Sequence, residues 1–216
     1  MYLVISKEDI LVQLIKQLEN FFILSEEDKK CLSACMDDVL TRCEHNFMKT
    51  DNKYYQYGED EVKFDPCHSV QYMIFLYYLS NYLYKNNIGE GLCDKVYYLN
   101  KIMNGVDLFY AIELPPVFGA EHPLGSVMGR AKYGEGFFFY QGCTVGGTRK
   151  GEQLHYPQIG KNVKMYANSS VLGKCDIGDN VQIGAGCIVK NQDVPSNSIV
   201  FGQSPNLIIK KYDTIR

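Results

Sequence analysis

A chain of 216 residues is long enough for one large domain or two small ones, and 46% hydrophobic residues can fill a real core. The net charge of −3 advertises no basic surface for nucleic acid or anionic lipid. Met1 to Ile5 is a short apolar run followed by charges, not a secretory h-region, so a soluble cytoplasmic protein is expected.

The first half reads as helical. Lys7 to Phe22 carries apolar residues at Ile10, Leu11, Leu14, Ile15 and Leu18, a spacing that makes one buried face. Ser25 followed by Glu26, Glu27 and Asp28 predicts an N-cap with an acidic first turn, opening a second helix through about Asn46. Thr50 to Gly58 reads as a loop. Asp65-Pro66 predicts the start of a third helix, with Pro in the first turn, running to about Tyr84. Its apolar stretch is too short and too rich in Tyr and Asn to span a bilayer, and reads as a buried helix. A fourth helix is expected over roughly Cys93 to Met103, and a domain boundary near Asn104–Gly105.

From Leu108 onward the pattern changes. Ile159, Met165, Val171, Ile177, Ile183 and Val189 stand six apart, a period that belongs to neither an isolated helix nor a plain strand. It predicts a coiled strand solenoid in which each rung supplies one inward aliphatic. Gly160, Gly178 and Gly184 follow three of these residues, and Val163, Ser169, Cys175, Val181 and Cys187 stand four after them, all small or slim. The glycines read as permissive corners. The same rhythm is set upstream by Val127, Tyr133, Phe139 and Val145, then slips phase, which predicts an excursion of about a dozen residues between Gly146 and Gln158. A prism with flat faces buries one of them against copies of itself, so a homotrimer, or a trimer doubled through the helical domains, is expected.

Eight cysteines suggest no disulfide frame, since Cys143, Cys175 and Cys187 fall in the repeats, where they act as small hydrophobes. Cys31 and Cys35 lie one helical turn apart without a second pair at zinc spacing, so no metal site is expected. His45 and His68 lie in or beside helices, where structural or surface roles are expected. His122 differs: it sits between Glu121 and Pro123 in an irregular stretch, and an imidazole is well suited to take a proton from an alcohol. Glu113 and Glu121 are both available to fix its tautomer. His155 lies in the excursion. Gly146-Gly147 is open to two readings, a tight exit turn or backbone that approaches a ligand closely enough to donate to an oxyanion.

The period-six run, Gly142 to Lys150 (GCTVGGTRK) and Asp193 to Pro205 (DVPSNSIVFGQSP) resemble the hexapeptide-repeat acyltransferases. The helical N-terminal half, Asp65-Pro66 and the Glu-His ahead of the Gly-Gly-Thr resemble serine acetyltransferases more closely. The likeness covers about Leu108 to Pro205 and is faint over the helices. It implies an α+β protein, with an α-helical domain at 1–104 followed by a left-handed parallel β-helix at 105–216 and an excursion loop at 146–158. It also implies acetyl-CoA as co-substrate in a groove between subunits, no metal, and direct attack of an acceptor hydroxyl on the thioester. By position, His122 matches the catalytic base and Glu113 the carboxylate that orients it. Glu121 and Asp65 match acceptor-binding carboxylates, and Gly147, Ala167 and Ala185 match the backbone that meets the pantetheine arm. Where that family carries Arg-His-Pro, this chain reads His155-Tyr156-Pro157, so the guanidinium that would clamp a serine carboxylate is missing. No complex with cysteine synthase is expected from the ending Ile215-Arg216.

The activity expected is therefore O-acetylation of serine for cysteine synthesis. A sugar hydroxyl, as in capsule or lipopolysaccharide synthesis, is the alternative acceptor, favoured by the missing Arg and by Tyr156, whose ring suits sugar stacking. A catalytically silent trimeric scaffold is the third reading.

Overall fold

The computed structural model describes residues 1–212; the ending that contains Ile215 and Arg216 lies outside them. Two compact units are present, one of residues 1–104 and 108–111, the other of residues 105–107 and 112 onward.

In the first unit, β1 (Tyr2–Leu3), β2 (Gln56–Tyr57) and β3 (Glu61–Phe64) form a small sheet with β3 in the middle. Four helices follow the sequence pattern: α1 (Lys7–Glu19), α2 (Glu26–Lys49), α3 (Ser69–Lys85) and α4 (Leu92–Asn104). α1 ends before Phe21 and Phe22, at the C-cap Asn20. α2 opens on a capping box in which Ser25 Oγ accepts from Asp28 N–H and Asp28 Oδ2 accepts from Ser25 N–H, both at 3.0 Å. Lys95 Nζ donates to the same Asp28 oxygen at 2.9 Å. Burial alone would raise Asp28, but these donors outweigh it and hold its carboxyl below the usual value.

Asp65-Pro66 does not begin α3. Asp65 instead builds a turn, its Oδ1 accepting Cys67 N–H at 2.8 Å and its C=O accepting His68 N–H at 2.9 Å. His68 is the N-cap, its Nδ1 accepting Gln71 N–H at 3.4 Å. α3 is buried almost all round from Val70 to Leu83, which explains its near-continuous apolar run.

The second unit is a three-faced parallel β-helix. β4 (Asp107–Leu108) falls where the chain passes from one unit to the other. The first face stacks β6 (Val127–Met128), β9 (Thr144–Gly146), β14 (Ser170–Leu172) and β17 (Ile188–Lys190). The second stacks β7 (Lys132–Tyr133), β12 (Gln158–Ile159) and β15 (Asp176–Ile177), with Val194 bridging to Ile177. The third stacks β5 (Phe118–Ala120), β8 (Phe137–Phe139), β13 (Lys164–Met165), β16 (Val181–Ile183) and β18 (Ser198–Gln203). β19 (Asn206–Lys211) turns back antiparallel on β18.

The register places Val145, Val171 and Val189 in one inward column, and Phe139, Met165, Ile183 and Val200 in another. Val163, Ser169, Cys175, Val181 and Cys187 are buried beside them. Upstream the periodicity misplaces one residue: Val127 is 41% exposed, and Met128, 1% exposed, stands in register with Val145. Alternation along a strand makes a one-residue slip exchange the inner and outer faces.

The glycines after the inward aliphatics do a different job from the one expected. A Cβ on Gly134 would lie 2.4 Å from the Gly160 carbonyl carbon, one on Gly160 2.7 Å from that of Gly178, and one on Gly178 2.4 Å from Ser196 N. They allow backbones of successive coils to touch. The left-handed conformation at corners falls instead to Asn162, Asn168, Asn180, Asn191 and Asn197, with φ between 50° and 59°, and to other glycines such as Gly142, Gly173 and Gly186. Three of these form a ladder along one edge: Asn162 Nδ2 donates to Asn180 Oδ1 at 3.1 Å, and Asn180 Nδ2 to Asn197 Oδ1 at 3.0 Å.

The expected excursion is a hairpin. β10 (Thr148–Lys150) pairs antiparallel with β11 (Gln153–His155) around Gly151, leaving the coil after β9 and rejoining it at β12.

Candidate functional site

His122 stands on the edge where the chain passes from the third face to the first. Glu121 N–H still donates to Phe139 O at 3.1 Å, extending β5 by one residue. His122 then adopts φ 49°, and its C=O accepts Leu124 N–H at 2.8 Å. A non-glycine residue held there costs roughly 1–2 kcal/mol. The turn throws the imidazole outward, 80% exposed, with Nε2 4.0 Å from Glu121 Oε1. That is beyond hydrogen-bonding distance, so Nε2 is open to an incoming hydroxyl. Burial, together with the charge of the Glu121 carboxylate, pushes the Tyr140 hydroxyl up to about 12.

Ala167 and Ala185 occupy the same edge on later coils, between β13 and β14 and between β16 and β17. Gly186 N–H donates to Ala167 O at 2.9 Å, so the two coils stack directly there. Ala185 is exposed and Ala167 half-buried, so at these two positions nothing larger than a methyl group stands over the backbone.

Gly147, His155 and Tyr156 lie on the next edge, between the first and second faces, at the root of the β10–β11 hairpin. A Cβ on Gly147 would stand 2.8 Å from the Tyr156 ring and 3.0 Å from His155 O. Glycine is thus required for the hairpin to close on its root. His155 is half-buried and lines a cavity of about 730 Å³ together with Thr148, Arg149, Lys150, Lys174 and Lys190. Lys190 continues into a neighbouring hollow beside Ser204 and Pro205. Four basic side chains around one cavity suit an anion of more than one charge.

Sequence reading missed those cations. Lys174 and Lys190 stand at or just after the ends of first-face strands and Lys150 in the hairpin, whose insertion between coils leaves no fixed spacing to connect them. The other candidates lie elsewhere. Glu113 is exposed between buried Ile112 and Leu114. Asp65 belongs to the helical unit, where its carboxylate serves the turn before α3. His45 is exposed on α2, and burial holds His68 below the usual histidine range at its capping position. The structure therefore groups His122, Glu121, Ala167 and Ala185 on one edge and Gly147, His155 and Tyr156 on another.

Residues 156–191 match the family model described as bacterial transferase hexapeptide (six repeats). A serine acetyltransferase of Synechococcus elongatus is 38% identical over 106 residues, 49% of this chain and 43% of that protein. One of Staphylococcus xylosus is 39% identical over 127 residues, 54% of this chain and 57% of that protein. The chain thus spans about half the length of the curated relatives it matches. Among solved structures, the Neisseria gonorrhoeae serine acetyltransferase superposes with a TM-score of 0.67 at 21% identity, covering 95% of this chain and 87% of that one. A serine acetyltransferase in complex with CoA gives 0.62 at 17% identity, covering 84% and 75%. The chain carries the hexapeptide repeat of the bacterial transferases in its second half and shares its fold, helices followed by a left-handed parallel β-helix, with serine acetyltransferases of known structure.

Proposed function

We propose that this protein is an acetyl-CoA-dependent O-acetyltransferase acting on L-serine. The observation that carries the reading is the exposed His122, held outward by a left-handed turn on the edge that also bears Ala167 and Ala185. The similarity of the second half to proteins named serine acetyltransferase supports the same chemistry.

In this reading His122 Nε2 takes the proton of the acceptor hydroxyl as its oxygen attacks the thioester carbonyl. Glu113 orients the imidazole through the other ring nitrogen, and a backbone N–H at Gly147 faces the oxygen that becomes negative. Collapse of the tetrahedral intermediate breaks the carbon–sulfur bond, and the imidazolium returns its proton to the departing thiolate. The products are O-acetylserine and coenzyme A. Glu121 receives the acceptor's ammonium, and His155 with Tyr156 borders the acceptor. The pantetheine arm runs along Gly147, Ala167 and Ala185, while the phosphates of the coenzyme suit the cations Lys150, Lys174 and Lys190.

His122 and Gly147 stand on different edges of successive coils. A homotrimer in which the His122 edge of one copy meets the hairpin edge of the next completes the site, and sedimentation analysis tests it. Cytoplasmic location goes with acetyl-CoA as co-substrate.

A second reading keeps the chemistry and changes the acceptor to a sugar hydroxyl. It is favoured by His155, which stands where a guanidinium would hold a serine carboxylate. Thiol release from acetyl-CoA, measured with L-serine and with a panel of sugars, tests both. Release with L-serine alone supports the first reading, release with sugars alone the second, and none with any acceptor leaves the scaffold.

A further inference from the structure

Three successive coils leave the first face at Gly146, Gly173 and Asn191. The hairpin departs from the first of these coils, yet its side-chain bond is to the third: Thr148 Oγ1 donates to Asn191 Oδ1 at 3.1 Å. Among the described residues this is the only side-chain hydrogen bond from residues 148–155 to the coils. Gly173, in the coil between, makes that reach possible. It is buried at φ 78°, its N–H donates to Gly146 O at 2.9 Å, and a Cβ on it would lie 2.2 Å from both Thr148 Oγ1 and Asn191 Oδ1. Only glycine leaves room beneath the bond. The acceptor is itself fixed. Asn191, with φ 50°, donates its N–H to Leu172 O at 3.0 Å, and its Oδ1 also accepts Lys174 N–H at 3.0 Å. The bond joins the two walls of the cationic cavity. Arg149 and Lys150 line it from the hairpin, Lys174 and Lys190 from the coils, and Thr148 and Asn191 are among its lining residues.

We propose that Thr148 is a positioning residue for the nucleotide end of the coenzyme: its hydroxyl latches the hairpin to Asn191, so that cations on both walls face the same phosphates. The role rests on the acetyl-CoA reading given above. A hairpin without the latch remains rooted in the chain at Gly147 and Tyr156 but is free to tilt away from the coils. The attraction of Arg149 and Lys150 for a phosphate held by Lys174 and Lys190 then falls with distance. The latch makes no contact with His122 or with the thioester. Its loss should therefore be felt by a donor that carries phosphates and not by one that lacks them.

The experiment measures thiol release by the full chain and its variants from two donors, acetyl-CoA and acetyl-pantetheine, the same thioester without the nucleotide. The acceptor is whichever one supports release by the wild type. Thr148→Val keeps the shape of the side chain and removes the hydroxyl, whereas Thr148→Ser keeps the hydroxyl. With acetyl-CoA, kcat/KM is expected to fall about three- to tenfold in Thr148→Val, the scale of one neutral hydrogen bond, and to return in Thr148→Ser. With acetyl-pantetheine it should stay within about twofold in both variants. Asn191→Gly accommodates the left-handed backbone and removes the acceptor, so it should lower the acetyl-CoA value similarly. Adding Thr148→Val to it should have no further effect, because a latch that has lost one half has nothing more to lose. If Thr148→Val leaves the acetyl-CoA value within about twofold, or lowers both donors alike, the hydroxyl has only a structural role and the proposal fails alone. If the wild type uses both donors equally well, the cations do not meet the phosphates, and the proposal falls with that part of the reading. If it releases no thiol from acetyl-CoA with any acceptor, the acetyltransferase reading fails first and this role goes with it.

Discussion

The Tyr156 ring covers Gly147 so closely that a Cβ at position 147 would lie 2.8 Å from it. The contact joins the point where the chain leaves the β-helix to the point where it returns. Gly147→Ala is expected to push the ring and the His155 carbonyl aside and so re-aim the hairpin. Because Tyr156 is on the surface, global stability should fall by no more than about 1 kcal/mol. Turnover of acetyl-CoA should nevertheless drop about tenfold or more. Equal activity in the variant, measured by thiol release, would remove Gly147 from the site.

Gly178 makes the opposite case. There the obstacle to a Cβ is backbone, Ser196 N at 2.4 Å and Ser196 Cα at 2.7 Å, and backbone cannot swing away as a side chain can. Gly178→Ala should cost about 2–4 kcal/mol in urea unfolding, on the scale of overpacked or backbone-strained positions. A change below about 0.5 kcal/mol would mean that the coils do not approach as closely as described.

His122 tests the chemistry. Replacement by Ala should lower kcat by about a hundredfold or more, the usual contribution of a general base, with the far-ultraviolet circular dichroism unchanged. The same substitution relieves a left-handed non-glycine histidine only to place alanine there, so stability should hardly move. A variant that keeps its turnover sinks the assignment.

The cations test the coenzyme's path. Lys174→Glu with Lys190→Glu should raise the KM for acetyl-CoA about tenfold at low salt and less at high salt, since these side chains are exposed. The KM for L-serine should be unaffected. If only the serine value moves, the cavity serves the acceptor's carboxylate instead.

Asp28 carries a pH signature in the helical unit. Its carboxyl is held low in the folded state, so the unfolded chain takes up this proton first as pH falls. The stabilisation is present above the ordinary aspartate range, near about 4, and is lost as pH drops through the lower folded value. Thermal unfolding should therefore show Asp28→Asn less stable than the wild type at about pH 7, with the gap closing toward about pH 2–3. A gap that persists in acid would assign the effect to packing.

Much of this was legible in the chain itself. The Ser25 cap and the one-turn spacing of Ile10, Leu14 and Leu18 identify helices, because those signals act within one turn. The beat of six from Ile159 to Val189 identifies stacked coils, because each of the three faces of a triangular coil must supply one inward residue in turn. These are local rules, and folding leaves them in place.

The rest depended on how one coil sits over the next. Val127 and Met128 are both apolar, and only pairing with β9 chooses Met128 for the interior. Asp65-Pro66 reads as a helix start, yet His68 takes the cap because Asp65 spends its carboxylate on Cys67. Gly160 and Gly178, which read as flexible corners, are places of backbone contact with residues 18 positions further on. The gathering of Lys150, Lys174 and Lys190 follows from the hairpin's insertion. A sequence lists neighbours along the chain, whereas a β-helix makes its edges from residues that are neighbours only across it.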